Sequence, residues 1–141
     1  MALLPLTALF LRSSYFNFFS IMLINLSNHP SAAWSESQMA AAQEQFGRII
    51  EDWAFPNISP YATAEEVAQL AEDYFRRIAQ TTPRPQAVHL MGEMNFTFAL
   101  VRRLLEAGYR VVASTTERDV VEHEGVKTSR FRFVQFRDYL L

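Results

Sequence analysis

The chain has 141 residues, half of them hydrophobic and a fifth charged, with four Gly and six Pro, a composition that places it among globular proteins and away from disordered or fibrous ones. Its formal charge of −2 argues against binding long nucleic acid, which calls for a basic face, and leaves room for a short anionic ligand held by backbone N–H groups and one or two Arg. There is no cysteine, so disulfides, thiolate metal sites and a Cys nucleophile are excluded, in keeping with a cytoplasmic protein.

Residues 1–21 form an apolar leader broken by Pro5, Arg12 and Asn17. It lacks a basic segment ahead of the apolar run and a small-x-small cleavage site, and it is too interrupted to span a membrane, so no membrane association is expected. It reads as signal-like or, preferred, as an over-extended start with Met22 opening a single domain over 22–141.

Leu23-Ile24-Asn25-Leu26 reads as a strand buried on both faces, ended by the turn formers Ser27-Asn28-His29-Pro30. Ser35 and Gln38 stand at capping-box spacing, flanked by Trp34 and Met39, and open a helix that stops near Gly47. Arg48 to Asp52 is a weaker strand, and Pro56 and Pro60 make the following stretch irregular. Thr63 and Glu66 form a second capping box. Val67, Leu70, Ala71, Tyr74, Phe75 and Ile78 then line one face of a helix closed off by Pro83 and Pro85. Ala87 to Met91 is a third strand. Asn95 is a plausible cap for a helix carrying Phe96, Leu100, Val101, Leu104 and Leu105 and ending at Gly108, after which Tyr109 to Ala113 makes a fourth strand. Asp119 to Glu122 and Ser129 to Phe133 flank His123-Glu124-Gly125 as a hairpin. In its second strand the apolar alternation slips between 131/133 and 134/136, which calls for a bulge or a strand covered on both faces.

Alternating strands and helices predict an α/β domain: a Rossmann-like, mostly parallel sheet in the order 2-1-3-4, with flanking helices and a C-terminal antiparallel hairpin. In such a sheet strands one and three diverge at their carboxyl ends and open a crevice for ligands. Those ends are Ser27-Asn28-His29 and Gly92-Glu93-Met94-Asn95, with Ser114-Thr115-Thr116-Glu117-Arg118 next door.

His29 is the candidate acid, base or phosphate donor, although Asn28-His29-Pro30 is equally readable as a plain turn. Gly92 either lets a phosphate approach the helix N-terminus or merely lets the chain turn, and Glu93 is either a helix-start carboxylate or a ribose contact or base. Arg118, with Arg137 second, is the cation for a phosphate unless it pairs with a surface acid. His89, inside a strand, reads as structural and His123 as solvated, and three scattered histidines make no metal site.

The opening strand into an Asn-His turn, the Gly-acid pair before a Phe-containing helix, Thr115-Thr116-Glu117-Arg118, and the tail Phe131-x-x-Val134-x-Phe136-Arg137-x-Tyr139 together resemble the small single-domain, CARF-like ring nucleases of type III CRISPR loci. The resemblance covers Met22 to Leu141. It implies a homodimer that binds a cyclic oligoadenylate, tetra-adenylate foremost, across its two-fold axis and cuts it by attack of a ribose 2′-hydroxyl, with no metal or other cofactor. It also implies roles: His29 as acid or base, Asn28 and Thr116 as ribose or phosphate contacts, and Arg118 as stabiliser of the pentavalent oxyanion. The alternatives are a sensor or sponge of the same fold that binds without cutting, and a structural dimer joined by the Phe-rich tail.

Overall fold

The structure, a computed structural model, describes residues 22–141, so the apolar leader 1–21 lies outside it. Five strands form one sheet: β1 (Met22–Ser27), β2 (Ile49–Ala54), β3 (Ala87–Met91), β4 (Val111–His123) and β5 (Val126–Asp138). Three α-helices connect them, α1 (Glu36–Phe46), α2 (Ala64–Ala79) and α3 (Met94–Glu106), with a single 3-10 turn at Ser31–Ala33. The strand order is β2-β1-β3-β4-β5, parallel throughout except for the antiparallel β4–β5 pair. The expected α/β architecture is the observed one, its hairpin included.

Each face of the sheet builds its own core because side chains alternate along a strand. Ile24, Leu26, Val88, Leu90 and Val111 pack beneath α2 and α3 through Val67, Ala71, Ile78, Phe96, Leu100 and Leu104. Leu23, Ala87, Val112 and Phe136 pack beneath α1 through Ala42 and Phe46. α2 starts with the complete Thr63–Glu66 capping box, whereas at α1 only half is formed: the Ser35 hydroxyl accepts from Gln38 N–H. Gly47 and Gly108, with φ of 103° and 83°, supply the backbone that lets the chain leave α1 and α3.

Three local expectations change. The cap of α3 is Glu93, not Asn95, because its carboxylate reaches the free N–H groups of both Asn95 and Phe96. The fourth strand starts at Val111 rather than Tyr109, whose ring is buried in the core beside Phe75. It also does not stop at Ala113: β4 continues unbroken to His123, so Thr115 to Arg118 lie within a strand rather than a loop. β3 pairs with β4 only at Val111 and Val112, and beyond that β4 and β5 leave the sheet as a two-stranded arm. At about 3.3 Å per residue that arm reaches about 30 Å. The slipped alternation in β5 is a bulge: Thr115 pairs with Gln135 and Thr116 with Phe133, which leaves Val134 as the extra residue.

Candidate functional site

β1 connects through α1 to β2 on one side, while β3 lies on its other side, so the switch point falls between the carboxyl ends of β1 and β3. Ser27 and Met91 are register partners there, and Ser114 N–H reaches Met91 Sδ at 3.3 Å, so three strand ends share one level.

Along that edge, on the α1 face, runs a chain of polar side chains. Asn25 and His89 are buried, although they stand in otherwise apolar strands. His89 Nδ1 lies 2.8 Å from Asn25 Oδ1, and His89 Nε2 lies 3.2 Å from Ser114 Oγ. Asn25 Nδ2 donates to Asp52 Oδ1 at 2.7 Å and to the His29 carbonyl at 2.9 Å. Asp52 also accepts from Ser31 N–H at 2.9 Å and from the Ser31 hydroxyl at 2.6 Å. The chain thus crosses the sheet from β2 to β4, and each buried polar group meets a partner, as burial requires.

Its electrostatics follow from this placement. Burial, with repulsion from nearby His29 second, pushes His89 down to about 4, so the ring is neutral at pH 7. Partial burial alone would raise the Asp52 carboxyl; the bonds from the Ser31 hydroxyl, Asn25 and Ser31 N–H outweigh it and hold Asp52 below its ordinary range. The Glu93 carboxyl is lowered chiefly by Phe96 N–H, against slight desolvation and with help from Asn95.

His29 sits where this framework is most tightly tied. Its carbonyl accepts from Asn25 Nδ2, from Ser27 Oγ at 3.1 Å and from Trp34 Nε1 at 3.1 Å, while its N–H donates to Ser27 Oγ at 3.2 Å. Trp34 in turn stands edge-on to the ring of His89 and tilted against that of Phe136. The backbone of the turn is therefore fixed, and residues 28 and 29 are exposed. Beside them opens a depression of about 350 Å³ lined by Ser27, Asn28, Pro30, Asp52, Ala54 and Phe55, among others.

The other expected residues scatter in an orderly way. Ser27 and Asn28 line that depression, which lies between the ends of β1 and β2; His29 follows them in the chain, exposed, and is not among its lining residues. Gly92, Glu93, Met94 and Asn95 lie at the neighbouring end of β3, but Glu93's carboxylate already fills the N-terminus of α3 through Asn95 N–H at 3.1 Å and Phe96 N–H at 2.7 Å. Gly92 has a packing reason: a Cβ there would lie 2.1 Å from the Phe55 ring. Met94 is exposed and lines a separate apolar cleft with Thr97, Phe98 and Tyr139.

The block from Thr115 to Arg118 divides by strand alternation. Thr116 and Arg118 pair with Phe133 and Phe131 on the α1 face, whereas Thr115 pairs with Gln135, and Arg137 with Ala113, on the opposite face. Arg118 donates to Ser129 Oγ at 3.2 and 2.9 Å. It lies four residues beyond Ser114 and two strands from β1, on the order of 15 Å from the crevice by strand rise and spacing.

Asn25, Asp52, Ser31 and Trp34 escaped the sequence reading as parts of the site, and Ser114 entered it only as the start of the segment next to the crevice. The available signal was Asn25 itself, a polar residue inside a strand read as buried on both faces, which must carry a partner.

Comparison with curated proteins finds no match for this chain. The uncharacterized protein MJ1673 family matches residues 21–137, which takes in every element from β1 to β5 except the final residue of β5, Asp138. With its sheet, crevice and arm all inside that match, the chain belongs to the MJ1673 family.

Proposed function

We propose that the protein is a ring nuclease that binds a cyclic oligoadenylate at the crevice and opens it without a metal ion. The observation that carries this reading is the His29 turn: an imidazole exposed at the topological switch point, on a backbone whose carbonyl accepts from Asn25 Nδ2 and Trp34 Nε1 and whose N–H donates to Ser27 Oγ. Precise placement on a rigid support is what a general acid or base needs. Imidazole is the side chain whose ordinary titration range suits proton transfer near neutrality.

In the proposed reaction His29 takes the proton of a ribose 2′-hydroxyl. That oxygen bonds to the adjacent phosphorus, and the bond from phosphorus to the 5′-oxygen breaks. The 5′-oxygen takes up a proton from water, the proton held by His29 returns to solvent, and the ring becomes a linear chain ending in a 2′,3′-cyclic phosphate. Because the substrate supplies its own nucleophile, the protein's part is to orient the ribose, move the proton and stabilise the charge on phosphorus. Ser27 and Asn28 line the place where ribose and phosphate would rest. The cation assigned to the pentavalent oxyanion is Arg118, which stands on the order of 15 Å from its own subunit's crevice and so is to be supplied by a second copy. The expected homodimer supplies the two-fold axis that a symmetric ring requires.

One observation favours the second reading, a sensor or sponge that binds the ring without cutting it: among the described residues no side chain orients the His29 imidazole. Calorimetry with cyclic tetra-adenylate, followed by chromatography of the same mixture, separates the two. Binding with a linear product supports the nuclease, binding with an intact ring supports the sensor, and no binding overturns both.

A further inference from the structure

The crevice and the arm are each incomplete, in complementary ways. The depression beside the His29 turn is lined by one carboxylate, Asp52, held by Asn25 and Ser31, and by neither Lys nor Arg. An anionic ligand entering it meets acid and no fixed positive charge.

The arm has the opposite character. On its far face the charges cancel in pairs: Arg132 bridges to Glu117, and Arg130 stands opposite Asp119. On its α1 face stand Arg118 and Lys127 against the single acid Glu122, around an apolar stripe of Phe133, Phe131 and Val120. Among the described residues Arg118 has no carboxylate partner, and its only bonds run to Ser129. Phe131 is 70% exposed and Val120 56%, far more than a finished surface requires of two neighbouring apolar side chains.

A two-stranded ribbon is marginally stable by itself, and an apolar strand pair standing free in water invites pairing. A ribbon about 30 Å long and two strands wide cannot fold back on its own crevice, because β4 and β5 leave the sheet as a continuous ladder from Val112 to His123. A second copy of the chain offers the matching surface: a depression with one carboxylate and no cation, at the same carboxyl end of the sheet from which the arm departs.

We infer that two copies exchange their β4–β5 arms, so that Arg118 of each completes the crevice of the other beside its His29. The inference rests on the proposed nuclease reading for its chemistry, but not for its geometry. Exchange is isologous and closed, so it yields a dimer with two composite sites and no open filament.

The chain lacks cysteine, so single cysteines report contacts cleanly. Mixing Asn28→Cys with Ser129→Cys protein and adding a short bismaleimide gives a covalent dimer if the arm reaches the partner's crevice. Sedimentation velocity reads a dimer for the wild type and a monomer for Phe131→Ser. A monomeric wild type, or a mixture that yields no covalent dimer, overturns the exchange.

The catalytic half is read by complementation. His29→Ala and Arg118→Ala are each inactive, and an equimolar mixture recovers about a quarter of the wild-type rate, because half the dimers are mixed and each carries one intact site. Full inactivity of the mixture beside an active wild type places Arg118 in its own subunit's site and overturns the trans assignment. A covalent dimer together with a wild type that leaves the ring intact keeps the arm exchange and overturns the nuclease reading instead.

Discussion

Asn25 Oδ1 stands 2.8 Å from His89 Nδ1, and the nitrogen of the same amide donates to Asp52 Oδ1 and to the His29 carbonyl. Neither of those acceptors can donate, so the orientation of the Asn25 amide is set by its partners. Its oxygen must then face His89, which places the imidazole proton on Nδ1 and leaves Nε2 to accept from the Ser114 hydroxyl. Nitrogen-15 NMR is expected to show His89 as the neutral Nδ1–H tautomer at pH 7. An Nε2–H tautomer would mean that the amide is turned the other way and that the chain is broken at its centre.

Replacing Asn25 by Leu removes the donor to Asp52 and the acceptor for His89 in one step, and leaves a buried ring nitrogen without a partner. The expected cost is about 1–3 kcal/mol, read as a lower urea midpoint at an unchanged slope. A midpoint equal to that of the wild type would show that water replaces the amide without penalty.

Acid weakens the fold through His89. Its folded value of about 4 lies below its ordinary 6.5, so the unfolded chain binds the proton first as pH falls. The contribution is fully present above pH 6.5, declines across the window from 6.5 to 4, and is gone below it. The shift corresponds to about 3 kcal/mol. Asp52, Glu93 and Asp138, all lowered in the fold, add their own losses further down the scale. In His89→Gln the slope of stability between pH 6.5 and 4 flattens, and a slope unchanged by that substitution would assign the loss to other groups.

Gly92 is held by packing. Phe55 crosses directly over it and meets Phe96 edge-on at 5.3 Å, and Phe96 meets Tyr74 at the same distance. A methyl group at position 92 drives the Phe55 ring off Phe96, at an expected cost of about 1–3 kcal/mol in thermal or urea unfolding. Phe55→Ala is expected to remove most of the added penalty in a double-mutant cycle, whereas additive effects would deny the contact.

The fold was legible where one interaction dominates each choice. The Thr63–Glu66 box, the apolar face from Val67 to Ile78 and the run from Ala87 to Met91 each admit a single reading, and the strand order followed from right-handed crossovers. The slip of alternation in β5 was visible, but it allowed a bulge or a strand covered on both faces; the register places the bulge at Val134 and turns Phe133 and Phe136 to the same core. The length of β4 was not legible. Thr115, Thr116 and Arg118 are polar enough for a loop, and nothing local states that β5 will pair with them across the whole arm.

The crevice was placed by topology, but its inner wall was not. Asn25, Asp52, His89 and Ser114 come from four strands, and only the registers of β1 with β2 and β3 and of β3 with β4 bring them into line. Those registers are products of tertiary packing and leave no trace in the spacing of the residues.

The central claim is that His29 moves a proton in the opening of a cyclic oligoadenylate, and a single-turnover assay with cyclic tetra-adenylate and excess protein tests it most directly. Wild type is expected to give linear product with a 2′,3′-cyclic phosphate end, and His29→Ala to slow its appearance about 10²–10⁴-fold while still binding the ring. An intact ring with the wild type, or equal rates for the two proteins, would contradict the account.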